Sequence, residues 1–200
     1  MNVLIPPHLF EIPLPQLEDV ERVITKHAVD QYNNKHSQNV HKGYNVHLNP
    51  TPELDKLWRI FIRLCDSMFT NLDPVLEDIK FGESWAYVQN KDKNVSKWHT
   101  HVATASINGV YYPNIPDPTG TLSVLDIWNR EMKVPVKQGH LYLFPGWMLH
   151  KPNPQEYSIE PRVSINIELL TYSRPILRDD VIERNNIPHN THPSFPKVMW

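Results

Sequence analysis

Three histidines and one arginine are the residues of this chain whose types and spacing favour chemistry. His99 and His101 form a His-x-His pair, His150 ends a strongly apolar run, and Arg162 opens an alternating run shortly after it. Side chains at positions i and i+2 of an extended strand point the same way, so His99 and His101 can direct two imidazoles into one cavity. Imidazole suits iron, zinc, copper and nickel, and three such ligands leave positions free for a substrate. The set predicts a metal ion with an acid-bearing ligand beside it.

Arg162 begins a strand in which polar and apolar side chains alternate. Ser164, Asn166 and Glu168 share its face, and the opposite face is aliphatic and is expected to be core. The polar face lines either a pocket or solvent, and the sequence leaves both open. In a pocket, Arg162 can hold a carboxylate with two parallel charge-assisted hydrogen bonds, and Ser164 can add a third donor.

Each of these signals has an ordinary alternative. The chain contains eleven histidines, so the His-x-His pair is also compatible with solvated or hydrogen-bonded histidines at a loop edge. Asp126 is a further carboxylate to consider as a ligand, but its surroundings are typical of a strand end. The Asn108-Gly109 pair interrupts a strand and predicts a bulge rather than a catalytic group. Cys65 lies in an apolar helical pattern, which predicts an inert, reduced core thiol.

The surrounding pattern predicts an α+β fold that is mainly β. Apolar residues recur at helical spacing over about residues 16–34 and 51–71, and in the second helix Thr51 can cap the start while Pro52 suits the first position. Strand-like runs follow over residues 81–88, 103–112, 121–127, 132–136, 140–144 and 162–172. We expect the helices to cover one face of a β-sandwich or barrel.

The length and charge of the chain limit the class of protein. Two hundred residues predict one domain, with a helical support region over 1–75, a core over 76–172 and an extended arm over 173–200 that would suit a homodimer contact. A formal charge of −2 gives no basic attraction to nucleic acid or to an anionic membrane. No apolar stretch is long enough to span a bilayer, so a cytoplasmic protein is expected.

Four stretches of the chain resemble the 2-oxoglutarate and Fe(II)-dependent dioxygenases, most of all a little-characterised group from marine bacteria and their phages. The stretches are residues 98–101, 105–112, 139–150 and 162–166, and the resemblance covers about residues 81–172. It implies a double-stranded β-helix, also called a jelly roll and related to the cupins, whose open end holds iron. It also implies oxidation of a substrate C–H bond with release of succinate and carbon dioxide.

The resemblance assigns roles to individual residues. It implies that His99 and His150 bind iron and that Arg162, with Ser164, binds 2-oxoglutarate. The family has Asp or Glu where this chain has His101, so the ligand set becomes three histidines, as in cupin-like centres. Contacts to the cosubstrate or substrate are expected from Tyr87, from Tyr111 or Tyr112, and from Asn166, with aromatic packing as the alternative for the tyrosines.

Two other functions stay open at this stage. A three-histidine cupin-type metalloenzyme would bind its own substrate without 2-oxoglutarate and would not need Arg162 at the cosubstrate's far end. A non-catalytic jelly-roll module would bind no metal in stoichiometric amounts. The substrate, whether a small molecule or a peptide, is not determined by the sequence; Trp98, Trp128 and Trp147 are candidates for the walls of its cleft.

Overall fold

The computed structural model describes most of the chain between residues 8 and 170. The described residues are 8–33, 46, 50–68, 80–89, 97–102, 104–126, 128–153, 155 and 158–170. The expected C-terminal arm lies outside them, as do Ala103, Ile127 and the ends of two predicted elements at residues 69–71 and 171–172.

Among the residues described, two helices precede most of the strands. Helix α1 spans Glu21–Asn33 and helix α2 spans Pro52–Met68. The Leu54 backbone N–H donates to Thr51 Oγ1 at 3.3 Å, which confirms the predicted cap. The first helix begins at Glu21 rather than near residue 16, because Pro15–Leu17 forms a separate 3-10 turn in front of it.

In the described part of the chain, eight strands form two antiparallel sheets. The strands are β1 Phe10–Pro13, β2 Lys80–Gln89, β3 Ile107–Asn114, β4 Thr121–Leu125, β5 Glu131–Pro135, β6 His140–Pro145, β7 His150–Pro152 and β8 Arg162–Leu170. One sheet has the order β1-β6-β3-β8-β2, and the other has the order β5-β4-β7. The predicted mainly β architecture with antiparallel sheets is therefore confirmed.

Two short strands were not predicted, and two predictions around β3 were wrong. Strands β1 and β7 have only four and three residues. Strand β3 begins at Ile107 and not at residue 103, because the backbone N–H groups of Thr104 and Ala105 donate to the His101 carbonyl in a turn. No bulge occurs at Asn108-Gly109, where both partner strands keep a regular register. A glycine is needed there for another reason: a Cβ on Gly109 would lie 2.5 Å from Phe61 Cε2 of α2.

Two apolar cores lie on opposite faces of the five-stranded sheet. On the first face, the helices pack against aliphatic residues of β8 that include Val163, Ile165 and Ile167. On the second face, residues such as Val110 and Tyr142 pack against the three-stranded sheet. The inter-sheet face is the one on which the candidate site lies. Within the described part of the chain, no helix has the length and apolar character needed to cross a membrane.

Candidate metal centre

The three candidate ligands come from two segments held together by backbone hydrogen bonds. His99 and His150 form an antiparallel bridge, with both N···O distances at 3.0 Å. The His101 backbone N–H donates to the Gly146 carbonyl at 2.8 Å, and the Gly146 N–H donates to Ser106 at 2.9 Å. The turn that carries His101 therefore lies against the β6–β7 turn that precedes His150.

These contacts bring the three imidazole rings into one cluster. Each of His99, His101 and His150 offers one ring nitrogen such that the three atoms lie within 4.8 Å of one another. The Nε2 atoms of His101 and His150 are 3.3 Å apart. The structure thus collects the three histidines that the sequence singled out, although His99 and His101 lie in a bridge and a turn rather than in a strand.

The hydrogen bonds of the other ring nitrogens indicate where the lone pairs point. His99 Nδ1 and His150 Nδ1 each lie 2.9 Å from a backbone carbonyl, those of Lys97 and Met148. A carbonyl oxygen only accepts, so both Nδ1 atoms carry hydrogen, and Nε2 of each neutral ring keeps its lone pair. His101 Nδ1 lies 2.6 Å from Glu168 Oε1, which favours the same tautomer. Lone pairs on the Nε2 atoms of His101 and His150, which are 3.3 Å apart, repel each other unless a proton or a metal cation lies between them.

Desolvation favours the neutral form of the buried His150 ring and acts in the same direction on the more exposed His99 ring. Burial of its ring, followed by the nearby His99, lowers the pKa of His150 to about 3. Partial burial likewise lowers the pKa of His99, against the opposing effect of the Lys97 carbonyl. Metal ions bind the neutral imidazole, so both rings are in the metal-binding form at neutral pH.

The polar face of β8 turns inward and not toward solvent. Arg162 is 2% exposed, Ser164 8% and Glu168 2%. The aliphatic residues between them belong to the helix-side core, so the polar residues face the three-stranded sheet. Of the two alternatives left by the sequence, the structure supports the buried polar face, and Asn166 lies on it between Ser164 and Glu168.

At the Arg162 end of this face, two buried donors have no partner. Arg162 Nη2 donates to Gln89 Oε1 across the β2–β8 pair and to the Asn153 carbonyl at 2.6 Å. Among the described residues, neither Arg162 Nη1 nor Gln89 Nε2 has a hydrogen-bond partner. Tyr87 is the cross-strand neighbour of Ser164; burial raises the pKa of Tyr87, while the nearby Arg162 lowers it. Unpaired buried donors are costly, and an anionic ligand such as a carboxylate would satisfy them.

The position of Tyr111 corrects its predicted contact with the cosubstrate. Tyr111 lies in the helix-side core, and its hydroxyl donates to Glu21 Oε1 at 3.1 Å. It is therefore on the opposite face of the sheet from the histidines. The adjacent Tyr112 is on the inter-sheet face, with the Arg162 guanidinium 6.0 Å from its ring centroid. Successive residues of a strand point to opposite faces, so Tyr112, and not Tyr111, lies on the inter-sheet face.

Asp126 has a structural role, and the tryptophans are near the surface. Asp126 accepts hydrogen bonds from the backbone of Trp128 and from Arg130, as expected of a residue that closes a turn. It is not part of the histidine group. Trp128 is 68% and Trp147 47% exposed, and Lys151 lies over the ring of Trp98.

Three residues of the site were not recognised as functional from the sequence. Glu168 contacts His101, Gln89 contacts Arg162, and Asn108 is fully buried with neither amide atom hydrogen-bonded to a described residue. Asn108 is the register partner of Glu168 on one side and of Phe144 on the other. The period-2 pattern of β8 already placed Glu168 on the same face of the strand as Arg162. Gln89 and Asn108 could be identified only from strand pairing.

Comparison with solved structures identifies the fold. A prolyl-4-hydroxylase of Pseudomonas putida matches with a TM-score of 0.58 and 14% identity, covering 81% of this chain and 87% of that one. The viral collagen prolyl hydroxylase of Paramecium bursaria Chlorella virus-1 matches with a TM-score of 0.59 and 11% identity, over 81% and 89%. SnoK, a non-haem α-ketoglutarate-dependent carbocyclase from nogalamycin biosynthesis, matches with a TM-score of 0.60 and 13% identity, over 88% and 86%. No family model and no curated protein matches the sequence.

The chain thus has the double-stranded β-helix fold of the non-haem Fe(II) and 2-oxoglutarate-dependent oxygenases. This confirms the fold that the four sequence stretches implied. At these identities the likeness concerns the fold, and function has to be argued from the residues of the site.

Proposed function

We propose that the protein is an Fe(II)- and 2-oxoglutarate-dependent oxygenase that hydroxylates a C–H bond of its substrate and releases succinate and carbon dioxide. One observation carries the proposal. The imidazole nitrogens of His99, His101 and His150 converge at the Glu168 end of the buried polar face of β8. At the other end of that face, Arg162 Nη1 and Gln89 Nε2 are donors with no partner among the described residues. This arrangement suits a metal ion and a dianion that reaches from it.

The residues present fit both groups. His99, His101 and His150 would hold Fe(II), since imidazole is a common ligand of this metal. Arg162, with Gln89, Ser164 and Tyr87 around it, would hold the far carboxylate of 2-oxoglutarate. When bound together, the metal and the cosubstrate supply the oxidation that consumes dioxygen, converts 2-oxoglutarate to succinate and carbon dioxide, and hydroxylates the substrate.

The protein itself contributes orientation and exclusion of water. The Phe144 ring lies 4.7 Å from the His150 ring, and the Trp85 ring lies 5.5 Å from the His101 ring, so that aromatic groups flank two of the ligands. The hydrogen bonds from Nδ1 fix the rotation of each imidazole. The bond from Arg162 to Gln89 fixes the guanidinium before a ligand arrives, which lowers the entropic cost of binding.

Anaerobic titration of the Fe(II)-loaded protein with 2-oxoglutarate tests this proposal. The chelate is expected to produce a visible charge-transfer band. In Arg162→Ala, the apparent Kd of 2-oxoglutarate should rise by roughly tenfold to a hundredfold, because about 1.5–3 kcal/mol of charge-assisted hydrogen bonding is lost. Binding of Fe(II) by this variant should be retained, which shows that it is folded.

Arg59→Ala is the matched control, since Arg59 is an exposed arginine of α2 paired with Asp55. It should titrate like the wild-type protein. A band of unchanged strength and midpoint in Arg162→Ala would contradict the role given to Arg162. Failure of the wild-type protein to bind Fe(II) would contradict the proposed function altogether and favour a non-catalytic module.

A second candidate is a three-histidine metalloenzyme that does not use 2-oxoglutarate. Two observations favour it: all three ligands are imidazoles, and Arg162 Nη2 already has the acceptors of Gln89 and Asn153. This enzyme would bind Fe(II) or another divalent metal in the titration but would give no band with 2-oxoglutarate. The same experiment therefore separates the two.

A further inference from the structure

Glu168 is the buried acidic residue nearest to the candidate ligands in the hydrogen-bond network. Its Oε1 lies 2.6 Å from His101 Nδ1 and also accepts from Thr104 Oγ1 at 2.9 Å. Both groups are directed at the same oxygen, an arrangement that suits a carboxylate as the acceptor. Glu168 is 2% exposed and His101 8%, so water does not screen the pair.

Glu168 is a positioning residue and not a ligand. The group of side chains able to share a metal ion contains the three histidines and not this carboxylate. The Glu168–His101 hydrogen bond has the geometry of the carboxylate–histidine pairs that support metal ligands in other proteins. There, an outer carboxylate fixes the imidazole tautomer and makes the metal-bound nitrogen a stronger donor.

We propose that Glu168, acting through His101, supplies the negative charge that a carboxylate ligand would otherwise bring to this metal centre. This inference rests on the metal site of the proposed function. Three neutral imidazoles around Fe(II) leave two positive charges, and the Glu168 carboxylate reduces the charge of the assembly by one. The total then equals that of two histidines and one carboxylate, with the anion one hydrogen bond further from the metal.

Position 168 is well placed for this role. Strand β8 presents Glu168 and Arg162 on the same inward face, at opposite ends of the site. Thr104 belongs to the turn that carries His101, and its backbone N–H donates to the His101 carbonyl at 2.9 Å. The turn therefore positions both the histidine and a second donor for the carboxylate. Helix packing does not restrain Glu168, since the helices lie on the other face.

The proposal predicts that loss of the charge changes the metal site and not only the fold. Glu168→Gln keeps the shape and an acceptor oxygen but removes the charge. We expect its Kd for Fe(II) to rise by about tenfold to a hundredfold, the usual effect of losing an outer-shell partner. Because an anion stabilises Fe(III) more than Fe(II), the loss of Fe(III) affinity should be the greater. If the Kd for Fe(III) rises ten times more than the Kd for Fe(II), the Fe(III)/Fe(II) midpoint potential rises by about 59 mV.

Glu168→Asp separates charge from position. It keeps the charge with a shorter side chain, so its potential should stay closer to the wild-type value than that of Glu168→Gln. Glu21→Gln is the matched control, because Glu21 also accepts two side-chain hydrogen bonds but lies on the helix side of the sheet. Its Kd for Fe(II) and its potential should equal those of the wild-type protein. Circular dichroism verifies that each variant is folded.

The measurements are anaerobic Fe(II) titration and spectroelectrochemistry of the full chain. A higher Kd and a higher potential in Glu168→Gln support the inference. If the wild-type protein binds Fe(II) and Glu168→Gln matches it in both quantities, this inference alone is overturned. A weaker Kd with an unchanged potential also overturns it, since Glu168 would then only orient the ring. If the wild-type protein binds no Fe(II), the proposed function fails and this inference fails with it.

Discussion

At the scale of single residues, side-chain type and burial decide between chemistry and packing. His150 and Arg162 are both buried, yet one is a neutral ring whose Nε2 faces the other imidazoles and the other a cation whose Nη1 has no partner among the described residues. Cys65 is equally buried but has no such role. The sequence singled out both residues by their type and spacing, and the roles proposed for them are predictions. It did not single out Gln89, which is relevant only because strand pairing places it opposite Arg162.

Cys65 gives a prediction at this scale. Burial raises the pKa of its thiol from 9.0 to about 12, so very little thiolate is present at pH 8. We expect no measurable alkylation of the native protein by iodoacetamide at pH 8 in one hour, and complete alkylation in denaturing urea. Because the thiol pKa is higher in the folded than in the unfolded state, the contribution of Cys65 to the free energy of unfolding is fully present below about pH 9. This contribution is lost as the pH rises from 9 toward 12.

Mass spectrometry of the alkylated protein checks the prediction. Cys65→Ala should remove both the modification and this part of the alkaline loss of stability. Rapid labelling of Cys65 in the native protein would mean that α2 opens or that the thiol is exposed. Either result would contradict the packing described for this helix.

At the scale of elements, the site depends on two glycines at which the chain passes very close to another segment. A Cβ on Gly146 would lie 2.0 Å from the Ala105 carbonyl oxygen, and a Cβ on Gly120 would lie 2.7 Å from Arg162 Nη1. The first glycine lets the His101 turn contact the β6–β7 turn. The second leaves space for the guanidinium. The sequence showed the helix periodicity and the strand alternation. It did not show these two close contacts, because each joins segments that are distant along the chain.

Alanine substitution at the two glycines should therefore affect different ends of the site. In Gly146→Ala, backbone must move, so we expect a loss of stability of about 1–3 kcal/mol and at least tenfold weaker Fe(II) binding. In Gly120→Ala, the displaced Arg162 should weaken 2-oxoglutarate binding by about tenfold, the loss of one charge-assisted hydrogen bond, with little effect on Fe(II). Parallel Fe(II) and 2-oxoglutarate titrations measure both.

The two variants serve as controls for each other. Urea unfolding of each shows how much of a change in binding follows from global destabilisation. Equal losses of metal and cosubstrate affinity in both variants would contradict the division of the site into two ends.

At the scale of the whole molecule, the five-stranded sheet separates a helix-side core from the face that carries the site. The sequence predicted helices on one face of the β-structure and an aliphatic core face on β8, and it left open whether the polar face of β8 lines a pocket or solvent. It did not decide between Tyr111 and Tyr112, since two adjacent tyrosines in a buried strand carry no periodicity. It also missed β1 and β7, which are too short to give a pattern. Both sheets nevertheless depend on them for an edge, and β7 carries His150.

Binding of the metal should stabilise this whole arrangement. The metal would join the segment that carries His99 and His101 to strand β7, which carries His150. Because these ligands come together only in the folded protein, binding of the metal must raise the melting temperature. At a free metal concentration of one hundred times Kd the gain is about 2.7 kcal/mol. For a chain of this size that corresponds to a rise in Tm of about 5–10 °C.

Differential scanning fluorimetry with Ni(II) or Co(II) under argon measures this rise in Tm. The shift should disappear in His150→Ala and persist in His27→Ala, which alters a histidine of α1. An equal shift in all three proteins would indicate binding elsewhere on the chain.

The most direct test of the account is anomalous X-ray diffraction at the iron edge from crystals grown anaerobically with Fe(II) and 2-oxoglutarate. The account predicts one strong peak about 2.1 Å from Nε2 of His99, His101 and His150, a distance usual for imidazole–metal bonds. It also predicts a carboxylate of the cosubstrate on Arg162. A peak at another place, or a metal bound directly by Glu168 in place of His101, would contradict it.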